Sequence, residues 1–348
     1  MSSGSALEIR DSLDRPLRDL RISVTDRCNF RCSYCLPRSK TSEATFLPRS
    51  EIMSFEEIAR LARCFVATGV QKIRLTGGEP LLRKGLATLV EMLASLEVDL
   101  ALTTNGVLLP ALARDLKQAG LNRVTVSLDA MDADVFQAMC DAPTFSPADV
   151  LRGIEAAEAA GFDSVKINCV VRRGQNENQV EKVARHFSGT KHIVRFIEFM
   201  DVGTRNAWHQ TDVVSAREIQ TLLSAVDDLI ALPPNYRGEV ARRFGFTQGG
   251  GEVGIIASVT EPFCGDCTRA RLSADGRLFA CLFAQTGVDL RQTLRSGVDD
   301  AAVGEQIRAW WGARSDRYSD SRVRDDASTR GRRLPVVSPR VEMSFIGG

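Results

Sequence analysis

Six of the nine cysteines fall into two tight groups, and thiolates at such spacing serve metal or redox chemistry. The first group reads Cys28-Asn29-Phe30-Arg31-Cys32-Ser33-Tyr34-Cys35. The second reads Cys264-Gly265-Asp266-Cys267, with Cys281 following after thirteen residues. Three thiolates hold three irons of a four-iron cluster and leave the fourth iron open to a ligand. Zinc is the alternative, but zinc sites usually show paired CxxC knuckles and a fourth ligand, and His186, His192 and His209 are remote from the first group. For the second group a structural zinc or a buried thiol pair stays open beside the cluster. Arg269 and Arg271 follow Cys267 directly, and alternate residues of a strand project to one side. Two guanidiniums beside a metal site suit a ligand with several phosphate oxygens, although a solvated charged strand is a common alternative. Cys64, Cys140 and Cys169 have no partner at ligand spacing and read as buried apolar thiols.

The elements that must position these groups follow a βα rhythm. β-branched runs at residues 20–26, 72–76, 100–104, 123–128, 164–171 and 192–199 alternate with helical segments. One helix, 54–68, opens on a capping box of Ser54 and Glu57 and stops at Gly69; another runs from Pro110 to Gly120. Six successive βα units imply a parallel sheet with right-handed crossovers. Asp26-Arg27-Cys28, Gly77-Gly78-Glu79-Pro80, Asn105-Gly106, Asp129 and Met200-Asp201 each follow a strand. Strand ends from five units converge on one face of a βα barrel, where such folds place their sites. The expected fold is therefore α/β, an incomplete (β/α)6 TIM-type barrel with a C-terminal extension. After residue 201 the rhythm breaks into a loop with Trp208 and His209, a helix near 215–225, Pro233-Pro234 and the glycines 249–251. Residues 315–340, rich in Arg, Asp and Ser, read as partly irregular.

Composition narrows the classes further. Lys plus Arg (45) nearly cancels Asp plus Glu (44), so no surface-wide attraction to nucleic acid is expected and any anion site is local. No apolar run approaches the ~20 residues that span a bilayer, and the first ten residues lack the apolar core of a signal peptide. A cytoplasmic location is expected, where grouped cysteines mean metal or redox chemistry more often than disulfides.

At CxxxCxxC, with Tyr34 before the third cysteine, the chain resembles the radical S-adenosylmethionine (SAM) superfamily, and Gly77-Gly78-Glu79-Pro80 is similar to its second signature. The runs LRISVTDRCN, IRLTGGEPLLR, LTTNG, VSLDA, VKINCVV, RFIEFMDVG and EPFCGDCTRARLSADGR, with the terminal Gly347-Gly348, narrow the resemblance to the GTP 3',8-cyclase family of molybdenum cofactor biosynthesis. The resemblance implies a [4Fe-4S] cluster on Cys28, Cys32 and Cys35 and a second on Cys264, Cys267 and Cys281. It implies SAM contacts from Tyr34, Gly78, Ser127 and Met200. It also implies GTP contacts from Arg21, Arg74, Thr103, Lys166, Arg269, Ala270 and Arg271, with Arg195 a further candidate. The tail, Gly347 and Gly348, is implied to reach the active site. No acid–base pair would dominate the chemistry, a 5'-deoxyadenosyl radical reaction converting GTP to 3',8-cyclo-7,8-dihydro-GTP. Implied partners are a reductant such as flavodoxin or ferredoxin and cyclic pyranopterin monophosphate synthase, which would receive the product; no nucleic acid or membrane is implied, and the chain is expected as a monomer or homodimer. The expected divisions are an N-terminal segment without a readable motif (1–17), the radical SAM barrel (18–205), an extension with the second cluster (206–340) and the tail (341–348). Leu36, where the family more often has Met, and the loop 140–147 depart from the pattern without touching a proposed ligand. The rival readings are a radical SAM peptide-modifying enzyme, which would lack the RxR run and the diglycine, and a non-catalytic iron–sulfur carrier or zinc adaptor, which would need neither GGEP nor the βα units.

Overall fold

The computed structural model describes residues 8–41, 46–322 and 341–347. Gly348 and most of the segment 315–340, both singled out above, lie outside the described residues. Six strands carry the βα rhythm: β1 (Asp19–Ser23), β2 (Lys72–Thr76), β3 (Asp99–Thr104), β4 (Arg123–Ser127), β5 (Lys166–Val171) and β6 (Ile193–Glu198). They pair in sequence order, and all five pairings are parallel.

Six further strands extend both edges, in stretches with no clear strand pattern apart from the Arg269/Arg271 alternation. They are β7 (Leu229–Leu232), β8 (Arg242–Phe246), β9 (Glu252–Ile256), β10 (Arg269–Leu272), β11 (Arg277–Phe279) and β12 (Val288–Asp289). The order across the single sheet is β12-β11-β10-β1-β2-β3-β4-β5-β6-β9-β8-β7. β10 joins β1 and β9 joins β6 in parallel, so the segment after residue 201 extends the first six strands at both edges of one sheet. Among the described residues no helix is long and apolar enough to cross a membrane.

The two faces of this sheet divide by chemistry. Leu20, Ile22, Ile73, Leu75, Ile167, Cys169 and Val194 are at most 1% exposed and pack in the apolar core. Residues alternating with them, Arg21, Arg74, Asn168 and Arg195, turn to the other face, as the two-residue period of a strand requires. The helix Phe55–Ala67 shows why the crossovers stop where they do. Ser54 caps it in a reciprocal box with Glu57, with Ser54 Oγ accepting from Glu57 N at 3.1 Å and Glu57 Oε2 from Ser54 N at 2.8 Å, and Gly69 (φ 108°) lies just beyond its C-cap.

Candidate functional site

The loop Cys28–Cys35 is fastened from beneath. Phe30, 3% exposed, inserts edge-on against Phe136, with ring centres 5.9 Å apart. The helix Ala133–Cys140 ends under the loop, and its terminal carbonyls, which have no partner within the helix, accept from Arg31 N (Cys140 O, 2.9 Å) and Ser33 N (Met139 O, 2.8 Å). Cys32 O accepts from Cys35 N at 3.0 Å, turning these two cysteines together. Phe30 N donates to Cys28 Sγ at 3.4 Å, and Ser344 N–H to the Cys35 sulfur. Burial, then the neighbouring Cys32, pushes the Cys28 thiol up to about 12; burial with Cys32 and Cys28 pushes Cys35 up as well. Thiols this close disfavour one another's ionisation, a balance that bound iron reverses. The donor set, three thiols with backbone N–H groups aimed at two of them, fits a cluster with three protein ligands. Among the described residues no three His, Cys, Asp or Glu side chains stand together as ligands of one metal ion. A four-iron cluster instead takes each thiolate on a different iron.

The GGEP turn is pressed against the approach to this loop. Gly78 N donates to Thr25 O at 2.8 Å and Glu79 N to Arg27 O at 2.7 Å. A Cβ on Gly77 (φ +150°) would meet Thr25 O at 2.4 Å, and one on Gly78 would meet Arg27 O at 2.4 Å. Glu79, 1% exposed, holds the turn to the end of β3: its carboxylate accepts from Leu81 N (3.0 Å), Thr104 Oγ1 (2.7 Å) and Asn105 N (2.7 Å). Burial raises Glu79 to about 7 in spite of those bonds. Asn105 Nδ2 in turn donates to Asn29 Oδ1 at 2.8 Å. Asp129, raised to about 6 by burial, accepts from Tyr34 OH at 2.7 Å and Val170 N at 2.8 Å. Glu79 and Asp129 are visible in the sequence as strand-end and motif residues, but their bracing roles are not, because their partners come from other units. Gly78→Ala is expected to weaken SAM binding about five- to 150-fold, since overpacking a filled site costs about 1–3 kcal/mol. Equilibrium dialysis with labelled SAM measures it, and unchanged affinity would show that the close approach at Gly78 is dispensable.

A cavity opens on the polar face of the sheet. Its volume is about 160 Å³, well beyond the ~10–15 Å³ that one water needs. Arg21, Arg74, Thr103, Met200, Arg269 and Arg271 line it, as do Arg195, Asn168 and all three cysteines of the second group. Sheet register explains the gathering: Arg271 on β10 faces Arg21 on β1, which faces Arg74 on β2. Three guanidiniums thus stand in one row across adjacent strands, an arrangement that is unfavourable unless an anion joins them. Burial and then the neighbouring Arg271, Arg269 and Arg74 hold Arg21 well below the usual arginine range. Burial first, and a neighbouring arginine next, bring Arg195 and Arg271 to about 10. Arg74 Nη1 donates to Thr103 Oγ1 (3.0 Å) and Thr125 Oγ1 (3.1 Å). Among the described residues, Arg195 Nε and Asn168 Oδ1 are buried with no hydrogen-bond partner.

Three other predicted residues stand elsewhere. Lys166 does not line the cavity; it opens β5 beside Thr125 of β4, where burial and the charges of Arg195, Arg123 and Arg74 lower it to about 7. Ala270, 0% exposed, turns its methyl into the apolar core, so only its backbone is left for a ligand. Ser127 ends β4 opposite Asn168. Cys64, Cys140 and Cys169 are all buried, but Cys140 is less isolated than its spacing suggests: its thiol hydrogen-bonds Cys32 and lies 3.7 Å from Asp129 Oδ2. In the second group, burial pushes Cys281 up to about 11. Burial acts the same way on Cys267, but Arg269 and Arg314 outweigh it and bring that thiol down to about 6, with Arg269 Nη2 at 3.4 Å from the sulfur.

The tail runs between the two cysteine groups. Its helix Met343–Ile346 brings Ser344 to Cys35 and buries Ile346 completely, whereas Phe345 stays partly exposed. Gly347, buried at φ +74°, accepts a hydrogen bond from Arg271 Nη1 through its carbonyl oxygen.

Comparison with known proteins places this arrangement. Residues 22–187 match the Radical SAM superfamily and residues 192–320 match Molybdenum Cofactor Synthesis C. The GTP 3',8-cyclase of Acidothermus cellulolyticus is 54% identical over 98% of this chain and 99% of its own length. That of Xanthomonas campestris pv. campestris strain B100 is 50% identical over 99% and 98%. Among solved structures, Streptococcus suis SuiB bound to S-adenosylmethionine shares the fold at 15% identity, with a TM-score of 0.59 over 84% of this chain and 68% of SuiB. With cysteine loop, GGEP turn and RxR strand all inside those full-length matches, the chain belongs to the GTP 3',8-cyclase family of the radical SAM superfamily.

Proposed function

We propose that the chain converts GTP to 3',8-cyclo-7,8-dihydro-GTP, the first step of molybdenum cofactor biosynthesis. The observation that carries this reading is the row Arg271–Arg21–Arg74, buried beside Arg195 and Arg269. Among the described residues none of these five arginines pairs with a carboxylate, Arg269 is set against the Cys267 thiol, and the second cysteine group lines the same cavity. Buried charge without a partner is costly, so a polyanion that completes the site gains what the empty row loses. A triphosphate matches that demand, and in this reading its base lies toward a second cluster on the adjoining thiols.

In this reading Cys28, Cys32 and Cys35 hold the first [4Fe-4S] cluster, which with SAM supplies a 5'-deoxyadenosyl radical. Cys264, Cys267 and Cys281 hold the second cluster. Gly78 and its turn offer backbone groups to SAM, with Tyr34 and Ser127 flanking and Met200 at the boundary with the GTP cavity. Arg21, Arg74, Arg269 and Arg271 bind and orient GTP, Thr103 keeps Arg74 aimed, and Lys166 and Arg195 add positive charge from the β5–β6 side. The residues would act chiefly by positioning GTP beside SAM and by excluding water from the cavity. The architecture suits that task as an incomplete (β/α)6 barrel (18–205), an extension bearing the second cluster (206–340) and a tail (341–348), behind an N-terminal segment (1–17). A reductant of the flavodoxin or ferredoxin kind and a cyclic pyranopterin monophosphate synthase to take the product complete the reading.

The test uses anaerobically reconstituted, reduced protein incubated with SAM. 5'-Deoxyadenosine is expected with GTP and not with ATP or a peptide substrate. Equal release without any nucleotide would overturn the reading.

A further inference from the structure

The N-terminal segment carries no motif, yet it contains one of the most deeply buried charged networks of the described chain. Residues 9–17 fold back on themselves: Arg10 bridges Pro16, Leu17 N donates to Ile9 O at 3.1 Å, and Asp11 N donates to Arg15 O at 3.1 Å. Asp11 organises the turn, its Oδ1 accepting from Leu13 N and Arg15 N, both at 2.9 Å. Its Oδ2 takes Arg15 Nε at 2.6 Å and Arg314 Nη1 at 3.3 Å. The three side chains are 0% (Asp11), 1% (Arg15) and 2% (Arg314) exposed.

Both guanidiniums then reach the second cysteine group. Arg15 Nη1 donates to Cys264 O and to Asp316 O, each at 2.9 Å. Arg314 Nη1 donates to Cys267 O at 2.8 Å. The grip is braced from behind: Trp311, 0% exposed, donates from Nε1 to Arg15 O at 2.9 Å and lies 4.5 Å under the Arg314 guanidinium. Ser12 Oγ donates to Arg314 O at 2.6 Å. Arg15 Nη2 is buried with no acceptor among the described residues, a donor that stays costly unless something beside the protein's own atoms accepts from it.

We infer that the hairpin 9–17 is the positioning device of the second cysteine group: Arg15 and Arg314, joined through Asp11, hold the backbone carbonyls of Cys264 and Cys267 and so fix where their thiols stand. A planar guanidinium makes several directed bonds at once, which an ammonium cannot copy. Outer contacts of this kind orient ligands and tune what they bind. The inference rests on the reading of Cys264, Cys267 and Cys281 as iron ligands.

The test measures iron release to a chelator in two full-length backgrounds. One carries Cys28→Ala, Cys32→Ala and Cys35→Ala, leaving the second group; the other carries Cys264→Ala, Cys267→Ala and Cys281→Ala, leaving the first. Arg15→Gln is expected to speed release from the second group roughly tenfold, in line with lost outer contacts at metal sites, and to leave the first group unchanged. Arg15→Lys, which keeps charge without the fork, is expected to fall between, and Arg15→Gln to shift the electron paramagnetic resonance signal of the reduced second cluster. Equal acceleration in both backgrounds would mean that Arg15 supports the whole fold, which overturns the inference. Unchanged release and signal from an iron-loaded second group would also overturn it. No iron in the second-group background would instead sink the underlying reading.

Discussion

Removal of Gly347 and Gly348 is expected to slow GTP cyclisation on the order of 100-fold, as misplacing bound reactants by about an ångström does, while iron content and melting temperature stay unchanged. Chain ends are usually frayed and dispensable. This one is anchored one residue before the cut, because Ile346 is 0% exposed and Ser344 donates to the Cys35 sulfur. Those contacts survive the truncation, so the fold loses little. What goes is the Gly347 carbonyl bound by Arg271, at a place where any side chain would collide: a Cβ there would stand 2.7 Å from both Thr76 Cγ2 and Thr76 Oγ1. At φ +74° glycine also avoids the strain of the left-handed region. Gly347→Ala should therefore act in the same direction as the deletion, and a peptide ending in Phe-Ile-Gly-Gly should partly restore the truncated enzyme. Turnover of GTP by the truncated protein at the full rate would reduce the tail to a packed but idle end.

How far the sequence could be read depended on how local each signal is. The strand 72–76 coincides with β2, and the Ser54–Glu57 box caps the helix Phe55–Ala67, because β-branched runs and caps are decided within a few residues. The cysteine loop was legible for the same reason: its three cysteines fall within one eight-residue segment, 28–35. β7, β8 and β9 were not, since Arg242–Phe246 (RRFGF) has no clean alternation and β9 joins the parallel strands by pairing with β6, whose residues lie 59 positions earlier (Ile193 with Glu252). The row of arginines was visible as separate motifs, but its being a row depends on the register that sets Arg271 against Arg21 and Arg21 against Arg74. Ala270 illustrates the reverse limit: the motif takes in the residue between two arginines, and the strand's period sends its methyl to the core and leaves its backbone for a ligand. Hardest of all was the hairpin 9–17, whose Asp11 and Arg15 acquire meaning from Arg314 and Asp316, about three hundred residues away.

Arg271→Ala is expected to weaken GTP binding about ten- to 150-fold, the loss that one charge-assisted hydrogen bond to phosphate (about 1.5–3 kcal/mol) implies. SAM affinity should hardly move. The ligand-free protein should melt no lower than wild type, because the substitution removes the end member of a buried row of like charges and so relieves its neighbour Arg21. A residue kept only for structure would lower the melting temperature instead, which makes calorimetry a discriminating readout beside the binding measurement. Arg269→Ala should weaken GTP binding by a similar factor but by a different route, since Arg269 lies over the Phe263 ring at 5.1 Å and beside Cys267 rather than against the tail. The two arginines can therefore be told apart by double-mutant cycles with the Gly347–Gly348 deletion, in which groups in contact couple and separated ones add. Arg271→Ala and the deletion should be strongly non-additive in kcat/KM for GTP, because each breaks the same bond between Arg271 and the Gly347 carbonyl. Arg269→Ala and the deletion should be nearly additive. Additivity in both cycles would show that Arg271 and the tail serve the reaction independently, and that the bond between Arg271 and the Gly347 carbonyl does not contribute to it.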